Sequence, residues 1–256
     1  MPSGIFNVDP RDLNKVLARL LFVIGVVALG WLSPALASEP LKISIAAGSP
    51  FHKSGQTGFV DLVLKEAFER IGVEVDVVKY PAERAIHGAN NGDFDGDGYR
   101  VAGLERIYPN LIRVPEKIFD MRFGAFSRDE TVPTEDWDSL TPYSIGLIIG
   151  WKIFELNVKS ERVTKVKNVD QLFSLLSKGR VEVALYDQWQ GLAYLQENQI
   201  SGFKVLDPLL ATKDMYLYLH KKHADKVPLV ANALREMKAD GTLQKYIDQI
   251  MSPLLM

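Results

Sequence analysis

The chain has no cysteine among its 256 residues. This absence excludes disulfide bonds, thiolate nucleophiles and cysteine metal sites, and it excludes an N-terminal lipid anchor, which requires a cysteine at the cleavage point. An excess of charge of either sign is also missing, because the chain has 30 Lys and Arg and 32 Asp and Glu. With a formal net charge of −2 and no long basic run, the sequence predicts no binding to nucleic acid.

Patterns typical of metal sites and catalysis are missing as well. The four histidines do not pair on one helical face: His52, His87, His220 and His223. Three acidic residues alternate as in a calcium loop, but the twelve-residue frame that starts at Asp93 ends on Leu104, where a bidentate acid is required. The sequence also has no Gly-x-Ser-x-Gly elbow and no phosphate loop. We therefore predict no metal, no cofactor and no catalytic residue.

The N-terminal segment has the parts of a secretory signal. Three basic residues precede an uncharged stretch over residues 20–37: Arg11, Lys15 and Arg19. Pro34 breaks the stretch, and the small-x-small sequence 35–37 follows. We predict a signal peptide over residues 1–37 that is cleaved before Ser38, which places the mature chain in the periplasm. The alternative is a permanent membrane anchor, for which 18 uncharged residues are slightly short of the roughly 20 that a spanning helix needs.

The rest of the chain alternates between strand-like and helix-like patterns. Strands are predicted at residues 41–46, 73–79, 94–98, 144–149 and 181–185. Helices are predicted to begin at Gly58 and Pro81, to follow Trp151, and to cover 169–176 and the pair within 230–246, whose second helix is expected to be capped by Thr242. This alternation predicts parallel sheets covered by helices on both faces. Because it occurs before and after about residue 127, we expect two α/β lobes.

Several segments, taken in their order and spacing, resemble the bacterial solute-binding proteins of polar amino-acid ABC importers. These segments are 58–62 (GFVDL), 91–96 (NGDFDG), 103–106 (GLER), 178–187 (KGRVEVALYD) and the terminal helix pair. The resemblance covers nearly the whole mature chain and implies a clamshell of the type II periplasmic-binding-protein fold, α/β throughout. It implies that residues 38–125 and 206–256 form lobe 1, that 126–205 form lobe 2, and that crossover strands near 121–126 and 204–206 form the hinge.

The same resemblance implies a function. It predicts that a small polar, amino-acid-like solute binds between the lobes, at the carboxyl ends of the strands, and is delivered by a monomeric, non-enzymatic protein to an ABC permease of the inner membrane. Two alternatives remain on this fold. One is a periplasmic enzyme similar to cyclohexadienyl dehydratase, and the other is a sensor component that presents its ligand to a membrane receptor.

Charged site residues follow from the resemblance one position at a time. Asp187 matches the family's acidic residue that pairs with a ligand ammonium; alternatively, it caps the helix that follows. Arg106 approximates the arginine that holds a ligand carboxylate, although its spacing from Asp95 is one residue short of the family pattern. Arg100 is the second candidate, because either guanidinium could bind a carboxylate through two hydrogen bonds.

Aromatic residues and one turn complete the predicted site. Phe51, Tyr80 and Tyr99 are candidates for stacking on or lining the ligand, or else for packing in the core. Gly150 and Trp151 lie at the first strand–helix turn of lobe 2, where the family commonly has Gly-Thr in contact with a carboxylate. Trp151 departs from that pattern, and so does Ala82, which stands where the family often has an aromatic residue.

Overall fold

The computed structural model describes residues 39–255 of the chain. The predicted signal peptide lies outside these residues. Among the helices within 39–255, none combines the length and the apolar character that a membrane span needs.

The first part of the described chain alternates strands with helices. Its elements are β1 (Leu41–Ile45), α1 (Phe59–Glu69), β2 (Val75–Lys79), α2 (Ala82–Asn91) and β3 (Gly96–Arg100). The predicted strands and helices of this part are confirmed, although β2 and β3 each begin two residues later than expected. Asp61, at the third position of α1, accepts a hydrogen bond from the backbone N–H of Gly58 at 2.9 Å, which satisfies one of the unpaired donors at the start of that helix.

The remaining part repeats the alternation around one very long strand. Its elements are β4 (Leu111–Ser127), β5 (Ile145–Ile148), α3 (Lys152–Asn157), β6 (Val163–Val166), α4 (Val169–Ser177), β7 (Val183–Asp187), α5 (Gln188–Glu197), β8 (Lys204–Val205), β9 (Ala211–His220), α6 (Val227–Ala239) and α7 (Thr242–Tyr246). The predicted helix pair near the C-terminus is confirmed. The expected cap is wrong: Gly241, with φ +83°, is the N-cap of α7, and Thr242 is already its first residue.

The nine strands form one sheet in the order β2-β1-β3-β9-β4-β7-β5-β6, with β8 paired to β4. Strands β1, β2 and β3 are mutually parallel, and β5, β6 and β7 form a second parallel group. The antiparallel strands β9 and β4 lie between the two groups. Each parallel group is the sheet of one lobe, and the chain passes between the lobes through β4 and through the β8–β9 segment.

Strand β4 takes part in both lobes. Its 17 residues pair with β9 from Leu111 to Phe123 and with β7 from Phe123 to Phe126. A strand of this length is well above the usual five or six residues. It joins the lobes through its pairing with β9 and β7, although its register with β9 shifts near Lys117.

Helix α5 packs directly on β4. A Cβ atom on Gly191 of α5 would overlap the ring of Phe126, which is fully buried. The Phe126 ring in turn lies edge-on to Phe173, with centroids 5.3 Å apart. The absence of a side chain at Gly191 therefore lets the helix approach the strand closely.

Candidate functional site

The predicted site residues lie at the carboxyl ends of the parallel strands. Tyr80 directly follows β2, Tyr99 and Arg100 end β3, and Gly150 and Asp187 lie at the ends of β5 and β7. Loops at this edge of an α/β sheet present backbone N–H groups and side chains to a ligand, whereas the residues within the strands build the core. Residues from both lobes therefore contribute to the candidate site.

Asp187 is the last residue of β7 and the N-cap of α5. Its Oδ1 accepts a hydrogen bond from the backbone N–H of Gln190 at 2.9 Å, and its Oδ2 accepts one from Arg122 N–H at 3.3 Å. The capping role considered from the sequence is thus present, and the ligand-binding role stays a prediction.

The electrostatic state of Asp187 is unusual for an aspartate. Its side chain is fully buried, and among the ion pairs of residues 39–255 none involves it. Burial raises the pKa of Asp187 to about 7, against which the N–H donors of Gln190 and Arg122 act only in part. A cationic ligand group would relieve this penalty, because it would supply the missing charge-assisted hydrogen bond.

Arg100 is held in place by two contacts within lobe 1. Its Nε donates to Asp97 Oδ2 at 2.8 Å, and its Nη2 donates to the carbonyl oxygen of Ala82, the first residue of α2, at 2.9 Å. The side chain is 19% exposed. These contacts leave N–H groups of the guanidinium free to donate to a carboxylate.

Arg106 has different surroundings. It ends a short 3-10 helix over Leu104–Arg106 and is exposed. Within residues 39–255 its side chain forms no hydrogen bond or ion pair. Nothing in this part of the chain fixes the orientation of its guanidinium.

Tyr99 is buried and lies next to Arg100 at the end of β3. Burial raises the pKa of Tyr99 well above the ordinary range, the charge of Asp187 raises it further, and the charge of Arg100 lowers it. The strand ends thus offer an acidic group on β7 and a positive group on β3, which match the two charges of a zwitterionic ligand.

Behind Tyr99 lies a cluster of aromatic rings. Phe51 is fully buried, with its centroid 5.5 Å from that of Tyr99 and 4.8 Å from that of Phe119. Phe119 and Tyr99 meet edge to face at 5.1 Å. The structure thus places Phe51 in the core behind Tyr99, where it supports that ring. Tyr80 is half-buried and packs on Phe94 at 4.7 Å, away from this cluster.

The Gly150–Trp151 turn forms the corresponding part of lobe 2. Gly150 adopts φ +89°, a left-handed conformation that favours glycine, and its N–H donates to Glu155 Oε1 at 3.1 Å. Trp151 stacks on Phe154 with an interplanar angle of 12° and lies 4.8 Å from the ring of Tyr186. Since Tyr186 directly precedes Asp187, the indole lies next to the strand end that carries the acid.

Two further polar residues of the site were not predicted. Asp97 is fully buried, and the sequence drew attention to it only as part of a failed calcium pattern. Gln188 is the first residue of α5. Within residues 39–255, Asp97 Oδ1 and Gln188 Oε1 are the buried side-chain oxygens without a hydrogen-bond partner. Buried polar atoms are normally paired. The Gln188 oxygen is therefore an acceptor that a donor from a ligand would fit, whereas Asp97 already binds Arg100 through its other oxygen.

Comparison with known sequences gives two relatives. An uncharacterised protein of Shewanella oneidensis is 24% identical over 233 residues, which cover 85% of this chain and 86% of that protein. The L-cystine-binding protein TcyA of Bacillus subtilis is 23% identical over 191 residues, or 74% of this chain and 70% of TcyA. No protein-family model matches the chain.

Comparison with solved structures shows the fold. The GluR0 ligand-binding core in complex with L-glutamate matches with a TM-score of 0.72 at 15% identity, over 84% of this chain and 99% of that one. A histidine kinase sensor domain similar to periplasmic binding proteins gives 0.69 at 12% identity, over 84% and 97%. The amino-acid ABC transporter substrate-binding protein AbpA of Streptococcus pneumoniae, bound to L-arginine, gives 0.66 at 13%, over 82% and 93%. The predicted two-lobed, periplasmic-binding-protein-like α/β fold is confirmed.

Proposed function

We propose that the mature chain is an exported solute-binding protein that captures an amino-acid-like ligand between its two lobes and delivers it to an ABC importer. The observation that carries this proposal is the pair of charged groups at the strand ends, with buried Asp187 at the end of β7 and the fixed Arg100 at the end of β3. A buried carboxylate without a cationic partner fits a ligand ammonium, and a fixed guanidinium with free N–H groups fits a ligand carboxylate. An amino acid carries both groups on one carbon atom.

The similar proteins support this class of ligand. TcyA is an L-cystine-binding protein, GluR0 has been solved with L-glutamate and AbpA with L-arginine. The site of the present chain departs from a plain α-amino-acid pocket at Trp151, whose indole adds an apolar surface beside the acid. We therefore extend the proposal to amino acids with long or bulky side chains.

The lobes proposed for this function are residues 38–125 with 206–256, and residues 126–205. The passage of β4 from β9 to β7 at Phe123 and the pairing of β8 with Phe126 support boundaries near 125 and 205. We place the functional chain in the periplasm as a monomer that starts at Ser38. N-terminal sequencing and light scattering of the exported protein test both points, and an intact Met1 in the membrane fraction or a stable dimer would contradict them.

A screen by thermal unfolding tests the ligand-binding function. The mature chain is heated with each of the twenty L-amino acids and with L-cystine, because a ligand that binds only the folded state raises the midpoint by mass action. We expect at least one amino acid to raise the midpoint and to be recovered chemically unchanged. Matched variants are Asp187→Asn, which should abolish the shift, and Asp129→Asn, an exposed acid that should preserve it. If no amino acid shifts the midpoint, the proposal is wrong, and conversion of a bound compound would favour the enzyme alternative.

The sensor alternative has one observation in its favour. The fold matches a histidine kinase sensor domain as well as it matches transport proteins. Delivery to an importer and presentation to a receptor use the same ligand site, so a binding measurement does not distinguish these two functions. Deletion of the gene separates them, because loss of amino-acid uptake supports the importer, whereas unchanged uptake with a lost transcriptional response supports the receptor.

A further inference from the structure

Strand β3 contains one extra residue at the place where it reaches the site. In its antiparallel pairing with β9, Asp97 lies opposite Tyr218 and Arg100 lies opposite Tyr216. Three steps along β3 thus correspond to two steps along β9, which is the geometry of a β-bulge. Bulges bend a strand locally and re-aim the side chains that follow them.

The bulge explains how Asp97 and Arg100 meet. In a regular strand, residues three positions apart point to opposite faces. Here the extra residue allows Arg100 Nε to reach Asp97 Oδ2 at 2.8 Å. The carboxylate is 1% exposed, and the guanidinium is 19% exposed, so the acid lies beneath the arginine.

The pair therefore points from the core towards the site, with Asp97 on the core side and Arg100 on the site side. Asp97 engages Nε, and the Ala82 carbonyl engages Nη2, which fixes the plane of the guanidinium at two points. Burial raises the pKa of Asp97 to about 6, while the charge of Arg100 acts in the opposite direction. The acid is thus ionised at neutral pH and can balance the charge of Arg100.

We propose that Asp97 is a positioning residue, which holds Arg100 in the orientation that receives the carboxylate of the ligand. This inference rests on the proposed function, because it assigns to Asp97 a role in that same site. Without Asp97, the arginine would keep its charge but would sample many rotamers, and the two-point hydrogen bonding to a carboxylate would carry a larger entropic cost. Asp97 would therefore determine selectivity for ligands with a free carboxylate.

The first test compares L-arginine with L-argininamide by calorimetry on the mature chain at pH 7.5. The amide replaces the carboxylate with a neutral carboxamide and also makes the α-amino group less basic, so the comparison is between protein variants with the same probe. We expect Asp97→Ala to weaken L-arginine binding about tenfold, the scale of one hydrogen bond to a charged group, and to leave the weaker binding of the amide unchanged. Asp97→Asn keeps an oxygen that can accept from Arg100 Nε, so it should recover part of the preference. A change in which both probes weaken equally would overturn the positioning role and indicate general damage to the fold.

The matched control is Asp95→Ala. Asp95 lies two residues earlier and binds His223 at 2.6 Å and Lys222 at 2.8 Å, away from Arg100. Its replacement should lower the stability and leave the ratio of the two affinities unchanged. If Asp95→Ala reduces the preference for L-arginine over its amide as much as Asp97→Ala does, the proposal is also overturned.

The second test needs no ligand. In the ¹⁵N-labelled mature chain, the Nε–H resonance of Arg100 is assigned through its loss in Arg100→Lys. We expect this N–H to exchange slowly in the wild type and in Asp95→Ala, and to exchange at least about tenfold faster in Asp97→Ala, because a hydrogen-bonded N–H is protected from water. An unchanged rate would overturn the inference. If L-arginine and its amide both fail to bind the wild type, L-arginine is not a ligand of this site. The test is then repeated with the amino acid found in the thermal screen and its amide, and the exchange rates still decide whether Asp97 holds Arg100.

Discussion

Ser49 Oγ donates a hydrogen bond to Glu197 Oε1 at 2.5 Å, although the two residues are 148 positions apart. Ser49 belongs to the loop after β1, and Glu197 is the last residue of α5. Lys53 Nζ lies 4.0 Å from the same carboxylate. With the proposed lobe boundaries, this carboxylate on lobe 2 receives donors from lobe 1, so the contact links the two lobes.

We expect Glu197→Ala to loosen closure without disturbing either lobe. Because Lys53 and Glu197 are about half exposed, the contact should contribute only about 0.2–1 kcal/mol, which corresponds to an affinity weaker by a factor of about 1.4 to 5. Stopped-flow release of the amino acid found in the thermal screen measures the effect, which should appear as faster dissociation. Glu130→Ala is the control, since the Glu130–Lys204 pair lies within lobe 2. Equal dissociation rates in Glu197→Ala and Glu130→Ala would show that the contact of Glu197 with Ser49 and Lys53 does not hold the lobes together.

Asp187→Asn should change how stability depends on pH. Burial raises the pKa of Asp187 from 3.8 to about 7, so the folded protein retains a proton that the unfolded chain releases between these values. The wild type therefore loses about 1.4 kcal/mol of stability for each pH unit as the pH rises from about 4 to 7. Asparagine still accepts from Gln190 N–H and has no such dependence, so the variant should be the more stable protein at pH 8 by a few kcal/mol.

Urea unfolding at pH 5 and pH 8, without ligand, measures this difference. Asp129→Asn provides the comparison, because hydrogen bonds from Thr131 lower the pKa of that exposed carboxyl. Its contribution is lost only as pH falls, and it should not vary between pH 5 and 8. Parallel stability curves for the wild type and Asp187→Asn would show that Asp187 is ionised in the folded protein well below pH 7.

Arg100→Lys and Arg106→Lys should have unequal effects on amino-acid affinity. Lysine keeps the charge but loses the planar fork that binds a carboxylate through two hydrogen bonds. We expect a loss of about tenfold for Arg100→Lys and almost none for Arg106→Lys, whose arginine is exposed and unrestrained within the described chain. Calorimetry with one amino acid decides. A larger loss of affinity in Arg106→Lys than in Arg100→Lys would show that Arg106 binds the ligand carboxylate. If neither variant changes the affinity, this segment does not bind the ligand carboxylate.

Gly191→Ala should destabilise the protein through steric conflict alone. The new methyl group would overlap the buried ring of Phe126, and overpacking of this kind costs about 1–3 kcal/mol. Denaturant unfolding measures the loss. The double variant with Phe126→Leu should be less destabilised than the two single changes predict together, and Gln196→Ala on the exposed side of α5 should be nearly neutral. Additive losses would mean that the helix and strand separate instead of clashing.

Much of the fold was predictable because its elements carry clear periodic patterns. Helix α1 presents an apolar face that includes Leu64 and Phe68, and Gly72 follows it closely. The length of β4 was not predictable in the same way. Pro115 lies inside it among charged residues, and proline normally argues against a paired strand. The register with β9 shifts between Arg113 and Lys117, so the ladder accommodates Pro115 through an irregularity that no sequence pattern reveals.

The positions of the candidate site residues at strand ends were predictable from the sequence, but only part of their contacts was. Asp187 follows a buried strand, and the family resemblance assigned it to the site, which stays a prediction. The Asp97–Arg100 pair was missed, because residues three apart in a strand are expected on opposite faces. Only the bulge brings them together, and a bulge depends on the register with β9, a strand more than 100 residues later in the chain. Contacts set by long-range register are the part that local patterns do not contain.

The placement of β9 has a consequence for the order in which the chain can fold as it emerges from its N-terminal end. Strand β3 pairs with β1 on one side and with β9 on the other, and β9 covers residues 211–220. The sheet of the N-terminal residues therefore keeps an unpaired inner edge until about residue 220 has emerged. Residues 126–205 contain the second parallel group, so that lobe can form while the first sheet is still open. An unpaired strand edge is prone to aggregation, and a chaperone that binds the emerging chain would have most effect in this interval.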